Sequence, residues 1–140
     1  MKNLILIPVL ALTLNTAFAQ CEKNALLKFD EITEIRDGIS SPIKVEGTFA
    51  FSKDKIVMKA SRAGGEMIIE SDIKSILTCK WNTYLSTGKS EYKLMSRKGT
   101  EGPQDEATLV LEGWNGKLKV TFRPPGAELQ FDIAESKIVE

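Results

Sequence analysis

The side chains able to do chemistry in this chain are few in kind. It has no histidine, which excludes Ser-His-Asp and Cys-His nucleophiles, haem ligation through imidazole and nearly all catalytic zinc sites. Two Ser-x-x-Lys spacings occur, Ser41 to Lys44 and Ser71 to Lys74. Penicillin-recognising enzymes use that spacing on a helix, where one turn carries the lysine to the serine nucleophile. Both matches here fall in loop or strand context, where positions i and i+3 point to opposite faces, and no Lys-Thr-Gly accompanies them. A glycosidase needs two carboxyl groups roughly 5–10 Å apart. Glu112, Glu128 and Asp132 lie on the polar faces of strand-like segments, and nothing in the sequence singles out a pair. Glu101, Asp105 and Glu106 sit in the polar stretch 96–107 without the Asp-x-Asp-x-Asp-Gly spacing of a calcium loop. The expectation is a non-enzymatic protein with no catalytic residue, no metal site and no cofactor.

What remains chemically distinctive is a pair of cysteines and a few aromatic residues. Their meaning depends on compartment, which the N-terminus addresses. Lys2 precedes an apolar run from Leu4 to Leu14, interrupted by Pro8 and Thr13, and Ala17-Phe18-Ala19 offers small residues flanking a cut. This is the pattern of an export signal over residues 1–19. The run is too short for a spanning helix, which needs about 20 apolar residues. Gln20, not a small residue, precedes Cys21, so cutting after Ala19 is favoured over a lipid anchor on Cys21. The expectation is a periplasmic or secreted protein. In an exported chain, Cys21 and Cys79 are expected to form a disulfide; the alternative is a buried, inert Cys79 beside a disordered Cys21.

Trp81 and Tyr84 flank Trp-Asn-Thr-Tyr-Leu just after Cys79, and Trp114 stands beside a turn. Exposed aromatic rings with a polar tip often mark a sugar or protein contact. These three are the candidate contact residues. The competing reading makes Trp81 core and Trp114 a cover over Lys117.

Removing residues 1–19 from 140 leaves 121 residues, 20–140, enough for one domain with a substantial core. Lys2 leaves with the leader, so 19 basic residues become 18 against 19 acidic ones. Nothing in that balance favours nucleic acid or an anionic membrane as a partner.

The elements that must position these residues read as strands separated by turns. In Ala107–Phe122, Asn115-Gly116 is the two-residue hairpin signal, because both positions of a type I′ turn need positive φ. Folding there pairs Gly113 with Leu118, Leu111 with Val120 and Leu109 with Phe122 on one apolar face. Glu112 meets Lys119 on the other, and a one-residue slip would mix the faces. A second hairpin turns at Lys53-Asp54 and sets Phe51 against Ile56, Phe49 against Met58 and Gly47 against Ala60.

Reversal at 63–65 leads into a long segment that alternates Ile73, Ser75, Leu77, Cys79 and Trp81 against Lys74, Ile76, Thr78 and Lys80, with a bend expected near Ser71-Asp72. Tyr92 and Leu94 face inward on the next strand. Pro124-Pro125-Gly126 stops a strand at Arg123, and Leu129, Phe131 and Ile133 alternate on the last. The start is ambiguous. Leu26, Phe29, Ile32 and Ile35 suit a helix face, whereas Leu27, Phe29, Thr33 and Ile35 suit a kinked strand, the reading preferred in a chain of strands.

The architecture expected is all-β: an antiparallel up-and-down meander of seven to eight strands, closed into a barrel in preference to a sandwich. In length, export signal and strand rhythm the chain resembles a small lipocalin-like (calycin-type) barrel over most of residues 24–134, although the Gly-x-Trp motif near the first strand is absent. Two functions follow as expectations. One is a binding barrel for a small apolar or amphipathic ligand. The other is a module whose outer surface contacts a protein or polysaccharide.

Overall fold

The computed structural model describes residues 18–62, 64–99 and 102–139. Of the expected leader, residues 1–17 lie outside the described residues. A single 3₁₀ turn, Gln20–Glu22, precedes eight strands: β1 Ala25–Arg36, β2 Ile39–Phe51, β3 Lys55–Arg62, β4 Gly65–Thr83, β5 Thr87–Lys98, β6 Asp105–Trp114, β7 Lys117–Arg123 and β8 Glu128–Ile138. Each strand pairs antiparallel with the next, and β8 returns to pair with β1, so the meander closes into a barrel. Closure leaves no unpaired edge.

The turns follow local chemistry. Asn115 and Gly116 both take positive φ, at 52° and 84°, as a type I′ turn demands. The β6–β7 register is the one the turn specifies, from Thr108–Arg123 through Leu111–Val120 to Trp114–Lys117. At the second hairpin Phe51 meets Ile56, Phe49 meets Met58 and Gly47 meets Ala60. The Ser52 amide donates to the Lys55 carbonyl at 2.9 Å, closing the reversal over Lys53-Asp54.

Two strands depart from simple alternation. The chain from Ala25 is strand, not helix, and it is kinked: the register of β1 shifts between Phe29 and Glu31 against β2, and between Lys28 and Phe29 and again between Phe29 and Ile32 against β8. The inward row resumes at Ile32, which is buried, rather than at Thr33 and Ile35. A bulge adds one residue and reverses the facing of everything after it.

Strand β4 shows the same effect three times, with shifts between Ile73 and Ser75, Ile76 and Thr78, and Trp81 and Thr83. The inward residues are therefore Ile73, Ile76, Cys79 and Trp81, opposite Leu94, Tyr92, Ser90 and Gly88. Leu77, expected on the inward row, is 52% exposed. Nor does the chain bend at Ser71-Asp72. Ser71 is buried within a continuous strand, and the irregularities lie further along it.

The middle of the barrel is aromatic. Phe131 is fully buried, with ring centroids 4.8 Å from both Phe29 and Phe49 in edge-to-face contact. Phe51 continues the cluster to Tyr92. Such pairs contribute roughly 0.5–1.5 kcal/mol beyond area burial. This layer separates two ends with different construction.

Candidate functional site: an apolar cavity at one end of the barrel

One end is sealed. The 3₁₀ turn carries Cys21 to the inward face of β4, where it is bonded to Cys79 with Cα atoms 6.2 Å apart. Ser90, opposite Cys79 on β5, is completely buried. The Trp81 indole N–H donates to Ser90 Oγ at 2.6 Å. Cys21 Sγ lies 3.2 Å from that same oxygen, and since a disulfide sulfur carries no proton, the hydroxyl is the donor. A chain of two hydrogen bonds thus ties the indole to the cross-link.

Two glycines make the slot for Trp81. Gly88 and Gly113 face each other across β5 and β6; a Cβ on Gly88 would run into Trp81, and one on Gly113 would meet the Leu118 side chain and the Ser86 carbonyl and press on the indole at 3.2 Å. Tyr84 stacks edge-on against the ring at 5.4 Å. It is followed by Leu85, buried with a positive φ of 65°, an uncommon backbone state for a branched residue. Burial, more than any other cause, pushes the phenols of Tyr84 and Tyr92 above their ordinary pKa of 10.0. Neither hydroxyl closes a well-formed hydrogen bond with the described residues. Both rings stay neutral across the physiological range.

The opposite end contains a cavity of about 500 Å³. Its walls are the inward rows of the strand ends there: Ile32 on β1, Ile43 and Val45 on β2, Met58 on β3, Met67 and Ile69 on β4, Ala107 on β6, Phe122 on β7 and Leu129 on β8. Phe122 is the one ring among these wall residues, and the space they leave is filled one layer below by Phe29, Phe49 and Phe131. At the mouth the lining turns polar, with Glu34, Arg36, Arg97, Lys98 and Asp105. Arg36 reaches Glu34 at 3.2 Å. On the β4–β5 wall the buried hydroxyls of Ser71 and Ser96 lie 2.7 Å apart.

The residues singled out from sequence fall in different places. Cys21 and Cys79 form the disulfide, and Trp81 and Tyr84 join them in the sealed end. Trp114 is 69% exposed beside the β6–β7 turn, away from the cavity. Of the Ser-x-x-Lys pairs, Ser41 is exposed and Lys44 is paired with Glu31 at 3.3 Å, while Ser71 faces in and Lys74 out.

Glu112 and Asp132 are exposed and pair across the sheet with Lys119. The Glu128 carboxylate accepts from the Gln130 amide at 2.7 Å and Arg123 Nε at 2.9 Å, which together hold its pKa below the usual range. Asp105 lies at the cavity mouth, and Glu106 is 3.8 Å from Lys93. Among the described residues, no three His, Cys, Asp or Glu side chains are grouped to hold a metal ion. The cavity residues themselves were not marked by sequence motifs. The signal that finds them is facing parity, followed along each strand to its end.

Fold and site together define a class: an eight-stranded, up-and-down closed barrel with one sealed end and one apolar cavity. In comparison with known proteins, the chain matches no family model and no curated sequence. Among the described residues no helix is long and apolar enough to cross a membrane.

Proposed function

We propose that this protein is an exported, non-enzymatic barrel of lipocalin-like (calycin) type that holds a small apolar or amphipathic ligand in the cavity. The observation that carries the reading is the cavity itself. Its volume, about 500 Å³, falls within the roughly 300–1,000 Å³ of small-molecule sites, which are concave, mostly apolar and few per protein. An eight-stranded barrel encloses an interior that is either filled by its own side chains or able to hold one small ligand. Here the aromatic layer fills the middle and leaves the end open. The disulfide suits an oxidising compartment outside the cytoplasm.

The test is native mass spectrometry of mature protein purified gently from its own host. A bound mass below roughly 1 kDa, lost on denaturation, is the expected result. A bare polypeptide, together with no uptake of apolar probes, would remove the reading.

A second reading has one observation in its favour. Trp114, 69% exposed on the outer surface, would serve a protein or polysaccharide contact. Under that reading Trp114→Ala abolishes the contact with a stability change within about 0.5 kcal/mol; a large loss of stability would return the ring to a structural role.

A further inference from the structure

The cavity carries its charge at one end only. The charged lining residues, Glu34, Arg36, Arg97, Lys98 and Asp105, all stand at the mouth. Arg36 is paired with Glu34, and Lys98 and Asp105 are exposed to water. Below that rim, among the described residues, no charged side chain lines the wall. The hydroxyls of Ser71 and Ser96 on the β4–β5 wall are bonded to each other at 2.7 Å.

The inner end is built from paired strand positions. Met58 stands between its strand partners Phe49 and Ile69, and Phe122 stands between Leu109 and Leu129. Met58, Ile69 and Phe122 line the cavity, and the same three side chains border a second space of about 10 Å³, bounded also by Phe49, Ile56 and Leu109. Phe49 belongs to the aromatic layer, so this small space lies between the layer and the cavity. It is close to the least volume that holds one water molecule. Ser71, its one polar neighbour, has its hydroxyl bonded to Ser96. Two apolar spaces are thus divided by three side chains, one of them a methionine, which shifts readily to fill irregular gaps.

We infer that the cavity takes its ligand apolar end first: the ligand has at least one end free of polar groups, and Met58, Ile69 and Phe122 receive that end. Any polar group the ligand carries stays at the mouth, in water. An ionised group brought to the inner end would lose its hydration and meet no opposite charge, and burying an unpaired charge is costly. An apolar terminus loses nothing there. Met58 yields to it, and the small space below becomes the seat of its tip. This inference rests on the reading of the cavity as a ligand site.

The experiment is isothermal titration of the disulfide-intact protein with three straight-chain series below their micelle concentrations, each of about eight to fourteen carbons: primary alcohols, monocarboxylates and α,ω-dicarboxylates. The alcohols and monocarboxylates are expected to bind, and the matched dicarboxylates to bind at least about a hundredfold more weakly, because one of their two charges must enter. Methionine methyls labelled with ¹³C then read the depth of each end of bound decanoate. Met58 pairs with Ile69, and Met67 lies two residues nearer the β3–β4 turn at the open end. The terminal methyl of decanoate should lie against the Met58 methyl, with its carboxyl-side methylenes away from it. Met58→Ala, which joins the two spaces, should raise the preferred chain length by about two carbons. The titration and the labelling use the unaltered sequence, so the test stays decisive if Met58→Ala fails to fold.

Equal binding of monocarboxylates and dicarboxylates, or carboxyl-side methylenes against Met58, would overturn the orientation while leaving the cavity reading intact. An unchanged length preference in folded Met58→Ala would remove Met58 from the inner end. Failure of alcohols and monocarboxylates alike to bind would overturn the cavity reading and this inference with it.

Discussion

The two ends of the barrel are made from the same strands and finished in opposite ways. At the sealed end the inward rows of β5 and β6 carry Gly88 and Gly113, and the indole of Trp81 occupies the gap they leave. Tyr84, Leu85 and the cross-linked 3₁₀ turn close over it. At the open end the rows of β5 and β6 carry Ser96 and Ala107, Phe122 lines the wall without filling the space, and about 500 Å³ remains. Small inward residues thus appear at both ends with contrary results. What differs is whether a neighbouring strand or loop supplies an aromatic side chain to fill the space. At β4 the first two bulges cancel in parity, so Cys79 and Trp81 face inward with Ile73; at the mouth the long side chains are charged and belong at the water boundary.

The largest expected effect lies between the two ends. Phe131→Ala removes a fully buried ring that touches Phe29 and Phe49, and should lower stability by about 4 kcal/mol in urea unfolding. A loss below about 1 kcal/mol would mean that the aromatic layer does not support the barrel. Next comes the cross-link. Replacing Cys21 and Cys79 together by serine releases a loop of sequence separation 58, worth about 4 kcal/mol in the chain-entropy account, less any strain. Ligand affinity at the open end should change far less, which a titration of the double variant checks directly.

Alkaline pH sharpens the contrast. Tyr84 and Tyr92 have folded pKa values raised above 10.0 by burial. The folded state therefore binds those protons more tightly than the unfolded state. Their contribution is complete below pH 10 and is lost as pH rises from there through the folded values, at up to about 1.4 kcal/mol per pH unit for each phenol. Tyr84→Phe should flatten that decline in melts recorded above pH 10; an unchanged slope would contradict the assignment. The smallest effect belongs to the mouth. Met67 is half-buried on the cavity wall, and Met67→Ala should cost less than about 1 kcal/mol because little packing surrounds it. Its consequence is expected in ligand affinity instead.

Much of this architecture is legible in the sequence because register is local chemistry repeated. Asn115-Gly116 and the apolar parity around it specify the β6–β7 pairing residue by residue, and the cysteines specify the cross-link once export is inferred. Where a bulge intervenes, that logic fails. Leu77 belongs to the inward row by strict alternation, yet the extra residues on β4 turn it outward. The three-residue spacing of Ile73, Ile76 and Cys79 is the trace those bulges leave. In β1 the spacing from Phe29 to Ile32 is a similar trace, and in isolation it reads equally well as a helix. The cavity was illegible for another reason. It depends on which inward positions lie at the same height once the barrel closes, and that is set by the stagger of all eight strands, not by any one segment. The large residues Phe49, Phe51 and Phe131 are equally compatible with a filled interior and with a filled middle.

The most direct test of the account is a ¹H–¹⁵N NMR titration of the oxidised, ¹⁵N-labelled protein with decanoate. The account predicts saturable shifts concentrated at Ile32, Val45, Ile69, Ser96, Ala107 and Leu129, with the Trp81 indole and the amides of Tyr84 and Ser90 unmoved. Shifts centred on Trp114 and the sealed end, with the cavity residues silent, would contradict it.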